Sequence, residues 1–196
     1  MLLTGSQCVA ALDWTIQQAA DGGADIVQLR EKFLSDRELL QRALQVRRWT
    51  RQAGVLFVMN DRPDIAVMAE ADGVHLGQDD LPVSSARRII GSDMLIGVST
   101  HNLEQVRRAV RDGADYIGAG PTFPSSTKEF DHFPGLDFVR EAMAETSLPA
   151  FALGGIGLNN VAEVAAAGAR GIAVSSAIAT AADPQAVAVA LRRPLM

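Results

Sequence analysis

Eight short apolar runs punctuate the chain, at residues 1–4, 26–30, 55–60, 73–76, 94–99, 115–119, 149–153 and 171–175. Each is rich in aliphatic residues and bounded by glycine or charge, which predicts buried parallel strands. Between them the apolar positions switch to helical spacing. Residues 36–53 put Leu39, Leu40, Ala43, Leu44 and Val46 on one face, the mark of an amphipathic helix. Residues 102–111, 135–146 and 159–167 read the same way. Asp36, after Ser35, and Asn102 suit helix starts, because short polar side chains accept from the unpaired N–H groups there.

A weak repeat sets the order of these elements. Residues 20–26 read ADGGADI, 70–74 EADGV, 111–117 RDGADYI and 167–172 AGARGI. Helical residues run into a glycine and then into a strand, so the glycine is expected to cap the helix in the left-handed conformation. Repeated helix–turn–strand units imply a parallel sheet. Eight of them in 196 residues predict a compact α/β fold, a (β/α)8 TIM barrel forming one domain over residues 1–196, with a short or truncated first strand. An open doubly wound sheet is the rival, and no G-x-G-x-x-G follows the first strand to support it. Residues 121–134 form the longest irregular stretch and read as a functional loop.

Composition narrows the partners. The chain is 48% hydrophobic and 21% charged, as in ordinary soluble domains. Only 5% is aromatic, so the core must be aliphatic and alanine-rich. A net charge of -5 provides no general field for nucleic acid or an anionic membrane. An anionic ligand would need a local cationic cluster. The lone Cys8 excludes a disulfide within the chain and disfavours a thiolate zinc site. Neither a signal-peptide pattern nor an apolar run of membrane-spanning length occurs, so the cytoplasm is the expected location. A homo-oligomer is left open.

In such a barrel the C-terminal strand ends carry the chemistry. Here they carry Gln28, Arg30, Glu31 and Lys32, then Asn60 and Asp61, then Gln78, Asp79 and Asp80, then Ser99, Thr100 and His101. Ser125, Ser126, Thr127 and Lys128 follow the sixth strand, Gly154 and Gly155 the seventh, and Ser175 and Ser176 the eighth. Taken singly, each has a plain structural reading. Arg30 with Glu31 could be a rim salt bridge, and Asn60-Asp61 and Asp79-Asp80 could cap the helices announced by Pro63 and Pro82. Together they suit one hard divalent cation on Asp61 and Asp80 and two phosphate zones. One zone is cationic and metal-assisted, and the other is built from neutral amides and hydroxyls. Two such zones favour joining two phosphorylated substrates over isomerising one. His75, within a strand, reads as a hydrogen-bonded core residue rather than a base.

The stretches DIVQLREK (25–32), NDRPDIAV (60–67), ADGVHLGQDDLP (71–82), IGVSTH (96–101), GADYIGAGPTFPSSTK (113–128), GGIGLNN (154–160) and AVSSAI (173–178) together resemble the thiamine phosphate synthase family. The resemblance spans nearly the whole chain in the family's order. It implies a magnesium-dependent transferase that condenses 4-amino-2-methyl-5-(diphosphomethyl)pyrimidine with a thiazole phosphate through a dissociative pyrimidine cation. Thiamine phosphate and pyrophosphate would be the products. By motif, Gln28, Arg30, Glu31, Lys32, Asn60, Ser99 and Lys128 would bind the pyrimidine diphosphate, with Ser99 and Lys128 acting catalytically on the leaving group. Ser125, Ser126, Thr127, Gly155, Ser175 and Ser176 would bind the thiazole phosphate, and Asp61 and Asp80 would hold Mg2+. The chain departs from the family in its short opening MLLTGSQC, in Ser125 where threonine is common, and in EFDHFPG after Lys128. A thiazole tautomerase-like relative and a non-catalytic phosphometabolite-binding protein are the competing readings.

Overall fold

The computed structural model describes residues 1–4, 8, 10–124 and 133–196. Strand and helix alternate as far as β8, which two helices follow: β1 (Leu2–Thr4), α1 (Leu12–Asp21), β2 (Ile26–Leu29), α2 (Asp36–Ala53), β3 (Leu56–Asn60), α3 (Pro63–Met68), β4 (Gly73–Leu76), α4 (Val83–Ile90) and β5 (Leu95–Thr100). Then come α5 (Leu103–Arg111), β6 (Tyr116–Ala119), α6 (Gly135–Glu145), β7 (Ala150–Leu153), α7 (Val161–Ala166), β8 (Gly171–Ala173), α8 (Ser176–Ala179) and α9 (Pro184–Arg192).

Among the described residues eight parallel strands pair in sequence order. The sheet closes on itself, because Leu2 bridges Val174 and the Val174 N–H donates to the Met1 carbonyl at 3.1 Å. This is the barrel expected from the alternation, and closure excludes the open-sheet alternative. The first strand is indeed short, at three residues.

The pleat sends alternate strand residues to opposite sides. Val27, Leu29, Phe57, Met59, Val74, Leu76, Ile96, Val98 and Ile117 face outward, packing with Leu39, Ala43 and Val46 of α2 and with α3–α5 in one buried cluster. Leu2, Ala152, Ile172 and Val174 form a second cluster with Val161, Val164, Ala188 and Leu191. The intervening positions, among them Gln28, His75, Ser99, Tyr116 and Phe151, face the barrel interior, where a cavity opens. The same alternation that buries the outer layer therefore delivers polar side chains to the inside.

Local signals behave largely as read. Ser35 caps α2 in a reciprocal capping box with Glu38, and Asn102 caps α5 by accepting from the Gln105 N–H at 2.9 Å. One glycine of the repeat differs. In residues 70–74 the left-handed position is taken by Glu70, φ 51°, and Gly73 instead opens β4. A Cβ there would lie 2.7 Å from the Leu95 carbonyl oxygen, so close strand approach, rather than helix capping, requires this glycine.

The turns before two strands carry a matched pair of clamps. Asp72, ahead of β4, accepts two hydrogen bonds from Arg47 of α2, at 2.7 and 3.0 Å, and a third from the Phe57 N–H at 2.7 Å. Asp115, ahead of β6, accepts from Arg87 of α4 and from the Ile96 N–H, both at 2.7 Å. Each ties a helix to two strands at the N-terminal end of the barrel. Among the described residues no helix is long and apolar enough to cross a membrane.

Candidate active site

A cavity of about 430 Å³ lies at the C-terminal strand ends. Gln28, Arg30, Lys32, Asn60, Asp61, Asp80 and Ser99 line it from the β2–β5 side, and Gly155, Ser175 and Ser176 from the β7–β8 side. The fold thus gathers almost every rim residue singled out from the sequence among the described residues. Thr100 is fully buried and donates to the Gly118 carbonyl at 3.0 Å, and Glu31 is the other exception. It does not line the cavity, and its carboxylate lies 3.9 Å from Arg42 of α2. Among the described residues Glu31 therefore makes its ion pair with Arg42 and not with Arg30. Ser125, Ser126, Thr127 and Lys128 lie outside the described residues.

Asp61 is held in a backbone state that residues other than glycine seldom adopt, with φ 62°. Asp and Asn tolerate it better than most, and such positions concentrate at functional sites. The Asp61 N–H donates to the His75 carbonyl at 2.8 Å, which fixes the turn across β4. The Asp80 carboxylate accepts from the Gly77 N–H at 2.6 Å. Neither aspartate caps a helix. The N-cap of α3 is Arg62 and that of α4 is Pro82, both without a side-chain cap bond. Both carboxylates instead line the cavity.

Both carboxyl groups line the cavity close enough to shift one another's titration, and Lys32 pairs with Asp61. Burial and the adjacent Asp61 hold the Asp80 carboxyl above its ordinary range. Burial pushes Asp61 up as well, but hydrogen bonds from Asp80 and Lys32, with the charges of Lys32 and Arg30, bring it below its ordinary range. Two carboxylates this close favour a proton or a cation between them. Arg30 lines the cavity and forms no ion pair among the described residues. Its guanidinium is therefore available for an anionic ligand.

The opposite wall is neutral. The Thr122 N–H donates to the Leu153 carbonyl at 2.8 Å and the Phe123 N–H to the Gly154 carbonyl at 3.0 Å. These bonds run residues 122–124 along the end of β7. Gly155, φ 63°, sits directly beneath them, where a Cβ would come 2.4 Å from the Pro124 oxygen. Asn160 fastens the other side of this turn, donating to the Gly155 carbonyl at 2.9 Å and accepting from the Gly157 N–H at 2.8 Å. Ser175 and Ser176 follow β8 and start α8. Tightly folded backbone with nearby hydroxyls and no charge suits a phosphate.

The floor was the least visible from the sequence. Tyr116, Phe151 and Leu153 line it, and Tyr116 meets Phe151 edge-on with ring centroids 5.6 Å apart. Their signal is parity: Tyr116 stands two residues before Gly118 and Phe151 two before Leu153, on the inward side of their strands. His75 is buried and lies 2.9 Å from Ser99 Oγ and 3.0 Å from the Tyr116 hydroxyl, in keeping with a hydrogen-bonded interior residue.

Among the described residues no group of three or more His, Cys, Asp or Glu is arranged for a metal ion. Two carboxylates still suit Mg2+, which commonly takes one or two protein carboxylates and completes its shell with water and substrate phosphate oxygens.

The comparisons with known proteins agree with this geometry. The thiamine phosphate pyrophosphorylase of Pyrococcus furiosus superposes with a TM-score of 0.89 and 34% identity, covering 99% of this chain and 94% of that one. The thiamine-phosphate synthase of Chloroflexus aurantiacus is 51% identical over 178 residues, which are 90% of this chain and 82% of that protein. That of Rhodopirellula baltica is 48% identical over 169 residues, 84% of this chain but 45% of the longer relative. The family model described as thiamine monophosphate synthase matches residues 1–178, and the chain belongs to that family.

Proposed function

We propose that the cavity condenses 4-amino-2-methyl-5-(diphosphomethyl)pyrimidine with a thiazole phosphate to give thiamine phosphate and pyrophosphate. The observation that carries this reading is that Asp61 and Asp80 line one cavity wall together with Arg30 and Lys32, Lys32 pairing with Asp61. A neutral wall at Gly155, Ser175 and Ser176 faces them across one cavity. The charged wall suits a diphosphate leaving group, and the neutral one suits a phosphate that stays intact. On this reading residues 1–196 form one catalytic domain.

The bond between the pyrimidine methylene carbon and the diphosphate oxygen breaks, and its electron pair leaves with pyrophosphate. The thiazole nitrogen supplies the pair for the new C–N bond. Electron donation from the amino group of the pyrimidine supports a cation at the methylene carbon, so no strong base is required. That fits a cavity whose two lining histidines among the described residues are already engaged, His75 with Ser99 and Tyr116 and His101 with the Gly120 carbonyl. Arg30 and Lys32 stabilise charge gathering on the leaving oxygens, and Gln28 and Asn60 orient the pyrimidine. By the family's motif, Lys128 would act on the same leaving group and Ser125, Ser126 and Thr127 would contact the thiazole phosphate; all four lie outside the described residues. Asp61 and Asp80 would hold Mg2+, which when bound supplies positive charge to the diphosphate oxygens.

A coupled pyrophosphate assay tests the reading. Release is expected only with both substrates and Mg2+ together. Metal-free isomerisation of the thiazole phosphate without pyrophosphate would replace the reading with the tautomerase alternative, and binding of both substrates without turnover would replace it with a carrier.

The neutral wall has its own test. Gly155→Ala places a Cβ against the Pro124 oxygen and strains a left-handed backbone. KM for the thiazole phosphate is expected to rise about tenfold, as for one lost charge-assisted contact, while KM for the pyrimidine diphosphate stays within about twofold. Equal rises in both, measured by initial rates, would move the thiazole phosphate elsewhere.

A further inference from the structure

The cavity floor holds a chain of three polar groups running from the barrel interior to Ser99. Tyr116 is 4% exposed. Burial, with the charge of Asp115 beside it, raises its phenol far above the ordinary value, so it stays protonated. Among the described residues its hydroxyl has one hydrogen-bond partner, His75 Nδ1 at 3.0 Å. A buried phenol places its proton on an available acceptor, which makes Nδ1 the accepting nitrogen. Protonating both imidazole nitrogens would instead leave the phenol hydrogen with no acceptor among the described residues.

An imidazole that accepts at Nδ1 carries its hydrogen on Nε2. Nε2 lies 2.9 Å from Ser99 Oγ, so the serine oxygen accepts there. Its own hydroxyl hydrogen must turn elsewhere, and Ser99 borders the cavity. The backbone of Ser99 is fixed independently. Gln78 Nε2 donates to the Ser99 carbonyl at 2.6 Å, and Gln78 accepts in turn from Arg108.

Two missing side chains make the arrangement possible. A Cβ on Gly97 would lie 2.0 Å from Tyr116 Cζ, and one on Gly118 would lie 2.8 Å from Leu153 Cδ2 and 3.4 Å from His75 Cε1. The tyrosine ring thus occupies space that any other residue at position 97 would fill.

We propose that Tyr116 and His75 are positioning residues that lock the Ser99 hydroxyl as a hydrogen-bond donor into the cavity, aimed at an oxygen of the departing diphosphate. The target of that donor rests on the reaction assigned above; the lock itself rests on the side-chain geometry. A donor fixed before the bond breaks needs no reorientation as charge develops on the leaving oxygen. Were Nδ1 to carry the hydrogen, Ser99 would donate to Nε2 and present only lone pairs to an anion.

Long-range proton–nitrogen NMR of the His75 imidazole in wild-type protein reads the lock without substrate. The Nε2–H tautomer is expected; a Nδ1–H tautomer or an imidazolium would overturn the proposal. Kinetics read its consequence. Tyr116→Phe should lower kcat about tenfold, the scale of one hydrogen bond to a charged group, with KM for the thiazole phosphate unchanged. His75→Gln, whose amide nitrogen can stand in for Nε2, should keep most of kcat. His75→Asn, whose amide stops short of Ser99, should fall as far as Ser99→Ala. Equal rates for the Gln and Asn variants would overturn the positioning role. A wild-type protein that releases no pyrophosphate would overturn the assigned reaction, and with it the target of the Ser99 hydroxyl, whatever the NMR result for the lock.

Discussion

Asp61→Asn and Asp80→Asn each lower magnesium-dependent kcat by about 10²–10³-fold, the range seen when one preorganised electrostatic contact to a developing charge is removed, and neither lowers the melting temperature appreciably. Asparagine keeps the shape of the side chain. At position 61 it also tolerates the left-handed backbone, φ 62°, so strain is not added to the loss of charge. At position 80 its amide oxygen can still accept from the Gly77 N–H. What disappears is one of two carboxyls that line the cavity wall. Because burial and the adjacent Asp61 hold the Asp80 carboxyl above its ordinary range, metal-free Asp80→Asn should be at least as stable as the parent. Asp61→Asn gives up its half-exposed pairing with Lys32, a loss of well under about 1 kcal/mol. Capping residues would give the opposite pattern, a loss of stability of about 1 kcal/mol with unchanged kcat. Pyrophosphate release measured across magnesium concentrations, alongside thermal melts, separates the two. Near-normal kcat at limiting magnesium in either variant would remove that aspartate from the metal site.

The reason capping and metal binding looked alike in the sequence is instructive. Asp61 and Asp80 each stand two residues before a proline, as a cap before a helix start often does. Only the chain path shows that Arg62 and Pro82 hold the capping positions. Strand and helix identity, in contrast, was written in local patterns. The helix over Asp36–Ala53 and the strand over Gly73–Leu76 occur at the expected bounds, because a capping box, glycines and an apolar period mark them. Five helices, α1, α3, α4, α8 and α9, had no such clear period; α3, α4 and α8 run to eight residues or fewer, too short for a pattern to repeat. The polar rim was legible because strand ends in this fold converge whatever their sequence distance. The floor was not, since which strand residues face inward depends on a one-residue register. Glu31 lies between Arg30 and Lys32 in sequence, but it stands past the end of β2 and its carboxylate is 3.9 Å from Arg42, a pairing no local pattern announces.

Stability should respond most to the opposite end of the barrel. The turn sequences around Asp72 and Asp115 read as helix–turn–strand punctuation, but their carboxylates bind arginines 25 and 28 residues away, which no local pattern announces. Asp72→Ala is expected to destabilise the protein by about 3 kcal/mol, since it removes charge-assisted bonds to Arg47 and strands the Phe57 N–H. For a chain of this size that corresponds to a fall of roughly 6–12 °C in melting temperature. Arg47 suffers most. Its Nε already lacks a hydrogen-bond partner among the described residues, and the variant would leave its charge half-buried without a counterion. Arg47→Met in the same chain should therefore recover part of the loss, giving a coupling of about 1 kcal/mol or more in a double-mutant cycle. The single variant should keep its kcat at temperatures well below its melt, because Asp72 precedes β4 and the cavity lies at the other end of that strand. Additive effects within about 0.5 kcal/mol would show that the aspartate acts through the turn backbone alone, and a lowered kcat in fully folded Asp72→Ala would show that the two ends of the barrel are not independent.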